Sequence, residues 1–432
     1  MKYDPIDKEL FILNRKNFSS KLQPNSLAIF NSNDEMPKNG DQSFIFRQNA
    51  DIYYLSGIDQ EQSLLLIYPD CPDPKYKEVL LLRKTSELIA IWEGHKYNIE
   101  EAREASGIET IVWMDEIGTI FPMLMNWTEN VYLNLNENDR FANPVEYRDL
   151  RYANDLRSKY PAHSFHRSQL IMKELRAIKS DLEVNAISTA CDITRKTFER
   201  VCQFVRPGVM EYEIEAEIMH EFLRNRATGY AYYPIIASGK NACVLHYVEN
   251  NKECKDGDLL LMDFGAEYAN YAADLTRTIP VNGSFTDRQK DVYNAVLRVM
   301  KASINMLRPG TILDDYHKEV GKLMEQEFIG LGLLDKDEVA KQDNENPLYK
   351  KYFMHGTSHH LGLDVHDLAY RYDEFKPGMV LTCEPGIYIL EEGIGIRIEN
   401  DILVTDGDPV DLMAEIPVEA EEIENMMQVA VS

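Results

Sequence analysis

Leu259-Leu260-Leu261-Met262-Asp263-Phe264-Gly265-Ala266-Glu267-Tyr268-Ala269-Asn270-Tyr271-Ala272-Ala273-Asp274 is the stretch on which the fold turns. An apolar run ends in an aspartate, a turn containing Gly and Asn follows, and a second aspartate comes eleven residues after the first. Leu259 to Phe264 predicts a strand buried on both faces, since a continuous apolar run bounded by a turn signal fits that best. A carboxylate set into such a strand is costly unless something pairs with its charge. No basic residue lies between Lys255 and Arg277, so the local sequence offers no salt bridge. A metal ion gripped by two carboxylates on adjacent strands is the chemical answer; the bland one is a pair of turn caps.

The same layout returns further on. Ser180 and Glu183 form a capping box at the start of a helix predicted over about residues 181–205. Arg206-Pro207-Gly208 stops it, and a second helix spans about 212–226. Thr286 with Gln289 caps another helix over about 287–307, Arg308-Pro309-Gly310 stops that one, and a further helix covers about 314–328. Two copies of helix–RPG–helix about a hundred residues apart predict an internally duplicated domain. Strands follow the helices in both copies, within residues 230–237 and 259–281 of the first and 379–390 and 395–405 of the second. Such duplicated halves would set a site between them.

The second copy supplies what the first lacks. Met379-Val380-Leu381-Thr382-Cys383-Glu384-Pro385-Gly386 is an apolar strand ending in a glutamate before a Pro-Gly turn. Fifteen residues after Glu384, Glu399 sits on a predicted strand, two positions from Arg397 and so on the same face. Each half thus offers an acid on one strand and a second on the returning strand. Between them, four of the ten histidines (His355, His359, His360 and His366) fall within twelve residues, in a Gly-containing loop or irregular strand. Extended backbone points the adjacent His359 and His360 in opposite directions, so one of the two reaches the acids. An imidazole with four carboxylates is an oxygen-dominated set, suiting Mn²⁺, Co²⁺ or Fe²⁺ better than a structural zinc. Four carboxylates exceed what one ion needs, which predicts two ions and hydrolysis by a hydroxide they hold.

Composition agrees. A chain of 432 residues predicts two domains, residues 1–174 and 175–432, with a boundary near 171–179. The first alternates short apolar runs (26–30, 63–68, 78–82 and 110–114) with helix formers such as 98–105, a compact α/β pattern with no cluster of ligand-type residues. Its segment RQNADIYYLSG, residues 47–57, reads as scaffold or as an interface. A net charge of −26 argues against nucleic acid. Six scattered cysteines without a CxxC pair, no signal-peptide core and no apolar stretch near 20 residues lead us to expect a cytoplasmic protein that does not span a membrane.

The words LLMDFGAEYANYAADLTRT, FMHGTSHHLGLDVHD, VLTCEPGIYI and GIRIENDI resemble the pita-bread metallopeptidases, and among them the Xaa-Pro aminopeptidases (aminopeptidase P). RQNADIYYLSG is similar to that family's N-terminal domain, so the resemblance covers nearly the whole chain. It implies a creatinase-like α/β domain, an α+β pita-bread catalytic domain, and the metal ligands Asp263, Asp274, His359, Glu384 and Glu399, with Zn²⁺ also possible as the ion. By the same resemblance His246 and His366 contact the substrate near the scissile bond, His355 lines the proline-side pocket, Glu384 is general acid or base, and Arg397 orients the acids. Peptides with proline second are the implied substrates, and a homodimer or tetramer is implied through the N-terminal domain. A prolidase cleaving only Xaa-Pro dipeptides is the nearest alternative; a methionine aminopeptidase, a metal-free creatinase-like relative or a non-catalytic binding member lies further off.

Overall fold

In the computed structural model, which describes residues 2–343 and 345–429, the early apolar runs become strands of one mixed sheet. Its strand order is Thr110–Trp113, Glu78–Leu82, Leu64–Ile67, Ser26–Asn31, Asn130–Leu133 and Ser164–Arg167. Leu64–Ile67 is antiparallel to both its neighbours, and the two edge pairs and the Ser26–Asn31/Asn130–Leu133 pair are parallel. The last two strands escape sequence reading because Asn130–Leu133 is very short and Ser164–Arg167 carries only one apolar residue on a half-exposed edge. Leu27, Ile29, Leu64, Leu66, Val79, Leu81 and Val131 pack one face against Ile120, Phe121, Leu124 and Met125 of the helix Ile117–Trp127.

The RQNADIYYLSG segment is scaffold. Asn49 caps the helix Ala50–Ser56 by accepting from the Asp51 and Ile52 N–H groups, and Gly57 ends it in the left-handed conformation. Residues 51–56 are all buried. Asp51 is held by Arg176 Nη1 at 2.8 Å and accepts from Gln169 Nε2. These residues belong to a compact unit, Pro5–Arg176; a second runs from Ala177 onward and includes the residues before Pro5.

In the second unit the duplicated helices lie close to their predicted spans: Asp181–Phe204 and Glu211–Arg224, then Asp287–Ile304 and Leu313–Gly330. Both capping boxes are present. The strand regions break up more than an apolar run implies. Residues 230–237 yield Gly229–Tyr230 and Ile235–Ser238, interrupted ahead of and across Pro234, which cannot donate to a ladder.

The opening stretch forms a long bent hairpin. Leu259–Phe264 pairs antiparallel with Leu275–Pro280, and Ala266–Tyr268 with Tyr271–Ala272. Ala269 and Asn270, both at positive φ, close its two-residue turn, the backbone twist such a hairpin favours. Gly265 makes the bend possible: a Cβ there would fall 1.7 Å from the Ala273 carbonyl oxygen. The second half repeats the plan, with Val380–Cys383 paired to Asn400–Leu403 and Gly386–Ile389 to Ile394–Arg397. The halves meet where Thr276 bridges Glu399 and where Arg397 N–H donates to Thr278 Oγ1 at 3.2 Å. The aspartates of one half therefore face the glutamates of the other.

Candidate metal centre

Asp263 stands on the strand Leu259–Phe264 opposite Thr276, and Asp274 lies just ahead of the returning strand. Asp274, His359 and Glu399, all buried, each offer a ligand atom within 4.8 Å of the others. Asp263 joins them through Tyr232, whose hydroxyl lies 2.5 Å from Asp263 Oδ1 and 2.5 Å from Asp274 Oδ1. Glu384, at the end of Val380–Cys383, places Oε1 3.8 Å from His359 Nε2. All five predicted ligands thus converge on one place.

His359 is oriented as a ligand. Its Nδ1 donates to the His360 carbonyl at 3.0 Å, which turns Nε2 into the cage, 3.4 Å from Asp274 Oδ2. His360 points the other way, toward Phe375 and the charges of Lys179 and Asp367. Extended backbone separates the adjacent rings as expected.

Charge makes the cage a cation site. Burial raises the Glu399 carboxyl well above its usual range, and repulsion from Asp274, Glu384 and Asp263 adds to it. Burial likewise pushes Glu384 up to about 7 against the pull of His359 and Arg397. Asp263 is raised by burial and by Asp274, although Arg397 opposes this. Burial works against the charged form of His359, but its hydrogen bond to Asp274 and the charges of Glu384 and Asp274 outweigh it and raise its pKa. One hydroxyl proton on Tyr232 cannot serve two carboxylates at once, so the two aspartates share a single donor there. Four acids facing one guanidinium and one imidazole, with the imidazole Nε2 turned among them, fit divalent ions.

The absence of a local salt bridge for Asp263 proves incomplete as a guide, because the partner comes from the other half. Arg397 Nη2 reaches Asp263 Oδ2 at 2.5 Å, its Nη1 donates to the Tyr388 hydroxyl at 2.9 Å, and its Nε donates to Thr276 Oγ1 at 3.1 Å. Thr276 in turn donates to Glu399 Oε2 at 2.6 Å. Arg397 and Glu399 therefore lie on one side, as alternation predicts.

The remaining histidines differ in freedom. His355 Nδ1 donates to the Gly356 carbonyl at 2.7 Å, and its Nε2 accepts from the Tyr388 hydroxyl at 2.8 Å. Burial and the charge of Arg397 lower its pKa to about 3, so it is a neutral ring with both nitrogens engaged. His366 meets the His359 ring edge-on, with centroids 4.4 Å apart. His246 is exposed on the loop after the short helix Gly239–Cys243, near enough for its charge to be felt by His355.

Sequence reasoning missed Tyr232, Thr276, Tyr388 and Asp401. Asp401 is fully buried and accepts the Asp274 N–H at 3.0 Å. The alternation that put Glu399 on a strand also marks Asp401 as a second acid on it, a signal that was available. Tyr232 carries no such signal, since it sits in the break before Pro234.

Residues 185–406 match metallopeptidase family M24, and residues 11–132 match the aminopeptidase P N-terminal domain. The chain belongs to metallopeptidase family M24. Within that class its relatives are aminopeptidases P. It is 36% identical over 443 residues to the Xaa-Pro aminopeptidase of Escherichia coli strain K12, covering 98% of this chain and 99% of that protein. It is 34% identical to the Xaa-Pro aminopeptidase of Haemophilus influenzae, with 98% of both covered. A putative aminopeptidase P from Bacillus anthracis superposes with a TM-score of 0.90 at 31% identity, over 98% of this chain and 99% of that one. A glutamate-to-alanine variant of E. coli aminopeptidase P in complex with substrate gives 0.88 at 34% identity, over 99% and 100%. The fold is theirs: an N-terminal α/β domain and a pita-bread domain.

Proposed function

We infer that the protein is a metal-dependent Xaa-Pro aminopeptidase, releasing the first residue of peptides whose second residue is proline. The carrying observation is the Nε2 of His359 turned into a buried cage of four acids drawn from both halves, in a chain matched over nearly its whole length by Xaa-Pro aminopeptidases. Asp263, Asp274, His359, Glu384 and Glu399 would hold two divalent ions, and the oxygen-rich set favours Mn²⁺. Such ions supply Lewis-acid polarisation of a peptide carbonyl and a nucleophile at neutral pH.

The chain's own groups do the rest. Glu384, held near neutrality by burial, is suited to take a proton and return it to the leaving amine. Arg397 fixes the Asp263 carboxylate and, through Thr276, that of Glu399. His355, neutral and locked through both nitrogens, lines the pocket rather than moving a proton. His366, beside His359, and the exposed His246 are the rings we assign to hydrogen-bonding the peptide. No described helix is long and apolar enough to cross a membrane. We place the protein in the cytoplasm, where its free thiols stay reduced, and expect it to be a homo-oligomer.

The test is an assay of Xaa-Pro-Yaa tripeptides and Xaa-Pro dipeptides with Mn²⁺, before and after chelation. Release of the first residue from tripeptides, lost on chelation and restored by metal, is the expected result. Cleavage of dipeptides alone would make the protein a prolidase, and activity surviving exhaustive chelation would sink the metal reading.

A further inference from the structure

One buried ion pair of the catalytic unit lies outside the metal cage. Lys179 Nζ meets Asp367 Oδ2 at 3.0 Å, and both side chains are 1% exposed. Lys179 Nζ has no aligned hydrogen-bond acceptor among the described residues, so charge rather than direction holds the contact. The backbone at the base of the lysine is tied on both sides. Its N–H donates to the Gly378 carbonyl at 2.8 Å, and the next residue, Ser180, caps the helix Asp181–Phe204.

Asp367 follows His366 directly, and its own N–H donates to the His360 carbonyl at 2.8 Å. The loop between these points is drawn in by Gly362, whose carbonyl accepts the Ala272 N–H at 2.8 Å. A Cβ on Gly362 would stand 2.1 Å from Asp367 Oδ2 and 2.9 Å from Lys179 Cε, so the pair occupies the space a side chain would take. The result is a closed loop that starts at His359 and His360, ends at His366 and Asp367, and brings the His366 ring against His359.

A buried pair of this kind adds little stability over apolar residues of the same volume, whereas losing one partner leaves an uncompensated charge. What it does supply is a fixed position for the backbone that carries His366. We propose that Lys179, acting through Asp367, is a positioning residue that sets the placement of His366 toward the peptide. This rests on the role given above to His366.

The test compares Lys179→Met, Asp367→Asn, the double variant and His366→Ala, each metal-loaded, by melting temperature, kcat and KM. Each single change is expected to lower the melting temperature and to reduce kcat by about 10- to 100-fold. The double variant removes both charges, so its melting temperature should return close to that of the parent while kcat stays low and KM is held within about twofold. Recovery of kcat together with stability would overturn the proposal, because the pair would then serve folding alone. Gly362→Ala offers a route that leaves both charges in place: a methyl there must displace Asp367, and parental kcat in that folded variant would also overturn it. If His366→Ala keeps full kcat, the role of His366 fails and this proposal falls with it; a low kcat in His366→Ala beside a normal double variant refutes only the positioning role.

Discussion

Of the places where this molecule buries carboxylates, two end differently. In the N-terminal unit Asp51 is matched by Arg176, and Gln169 and Asn134 complete the set, with Gln169 donating to both Asp51 and Asn134. There a buried carboxylate has a guanidinium and an amide as direct partners. In the catalytic unit four acids face Arg397 and His359, and burial with mutual repulsion drives Glu399 and Glu384 toward their protonated forms. Balanced buried charge is scaffold; an excess of one sign, held in place by neighbours, is a binding site for the other sign.

The comparison breaks most sharply at the adjacent histidines. His359→Ala should lose bound metal and with it nearly all activity, while His360→Ala retains most of the metal. Elemental analysis decides, and equal loss in both would refute the assignment of His359. Next in size is Glu384→Gln, for which kcat should fall by about 10²- to 10⁴-fold. The same substitution should raise the melting temperature of the metal-free protein above pH 7, because it removes a charge that burial disfavours. A metal-free variant less stable than its parent would contradict the excess-anion picture.

Asp51→Ala provides the opposite outcome. It leaves Arg176 buried without its partner and should destabilise the protein by about 3–5 kcal/mol, read by chemical denaturation, with kcat per folded molecule unchanged. Altered kcat there would mean that the scaffold cluster reaches the chemistry.

The smallest effect is the pH dependence. Glu384 rises from its ordinary 4.5 to about 7 in the metal-free fold, and Asp263 and Glu399 are raised too. The folded protein therefore holds protons that the unfolded chain gives up. Its metal-free stability should be fullest below about pH 4.5 and should decline as pH rises through about 7. His359, also raised, acts in the same direction. Metal displaces those protons, so the gain in melting temperature on adding Mn²⁺ should grow across that window. A gain independent of pH would show that the acids are already ionised.

Much of the fold was legible because its signals are local. The capping boxes at Ser180 and Thr286, the RPG stops and the apolar runs around Leu259 and Val380 depend on residues a few positions apart. The four acids stood out because two halves repeat one plan; alternation allowed only one of His359 and His360 to reach them, and the family resemblance chose His359. The strand Ser164–Arg167 was not legible, since its single apolar residue gives no pattern and only pairing with Asn130–Leu133 makes it a strand.

By itself, the sequence determined the candidates for the chemistry: acids at 263, 274, 384 and 399, a histidine cluster between them, and turns that return each strand. Those choices rest on residue type and period, which a chain displays without folding. Only the tertiary structure decided what meets them. Arg397 reaches Asp263 across 134 positions, Tyr232 lies between two aspartates, and Lys179 finds Asp367. The physical reason is range. A buried charge is satisfied by whatever the fold brings within a few ångströms, and neither propensity nor periodicity specifies a partner so distant in sequence.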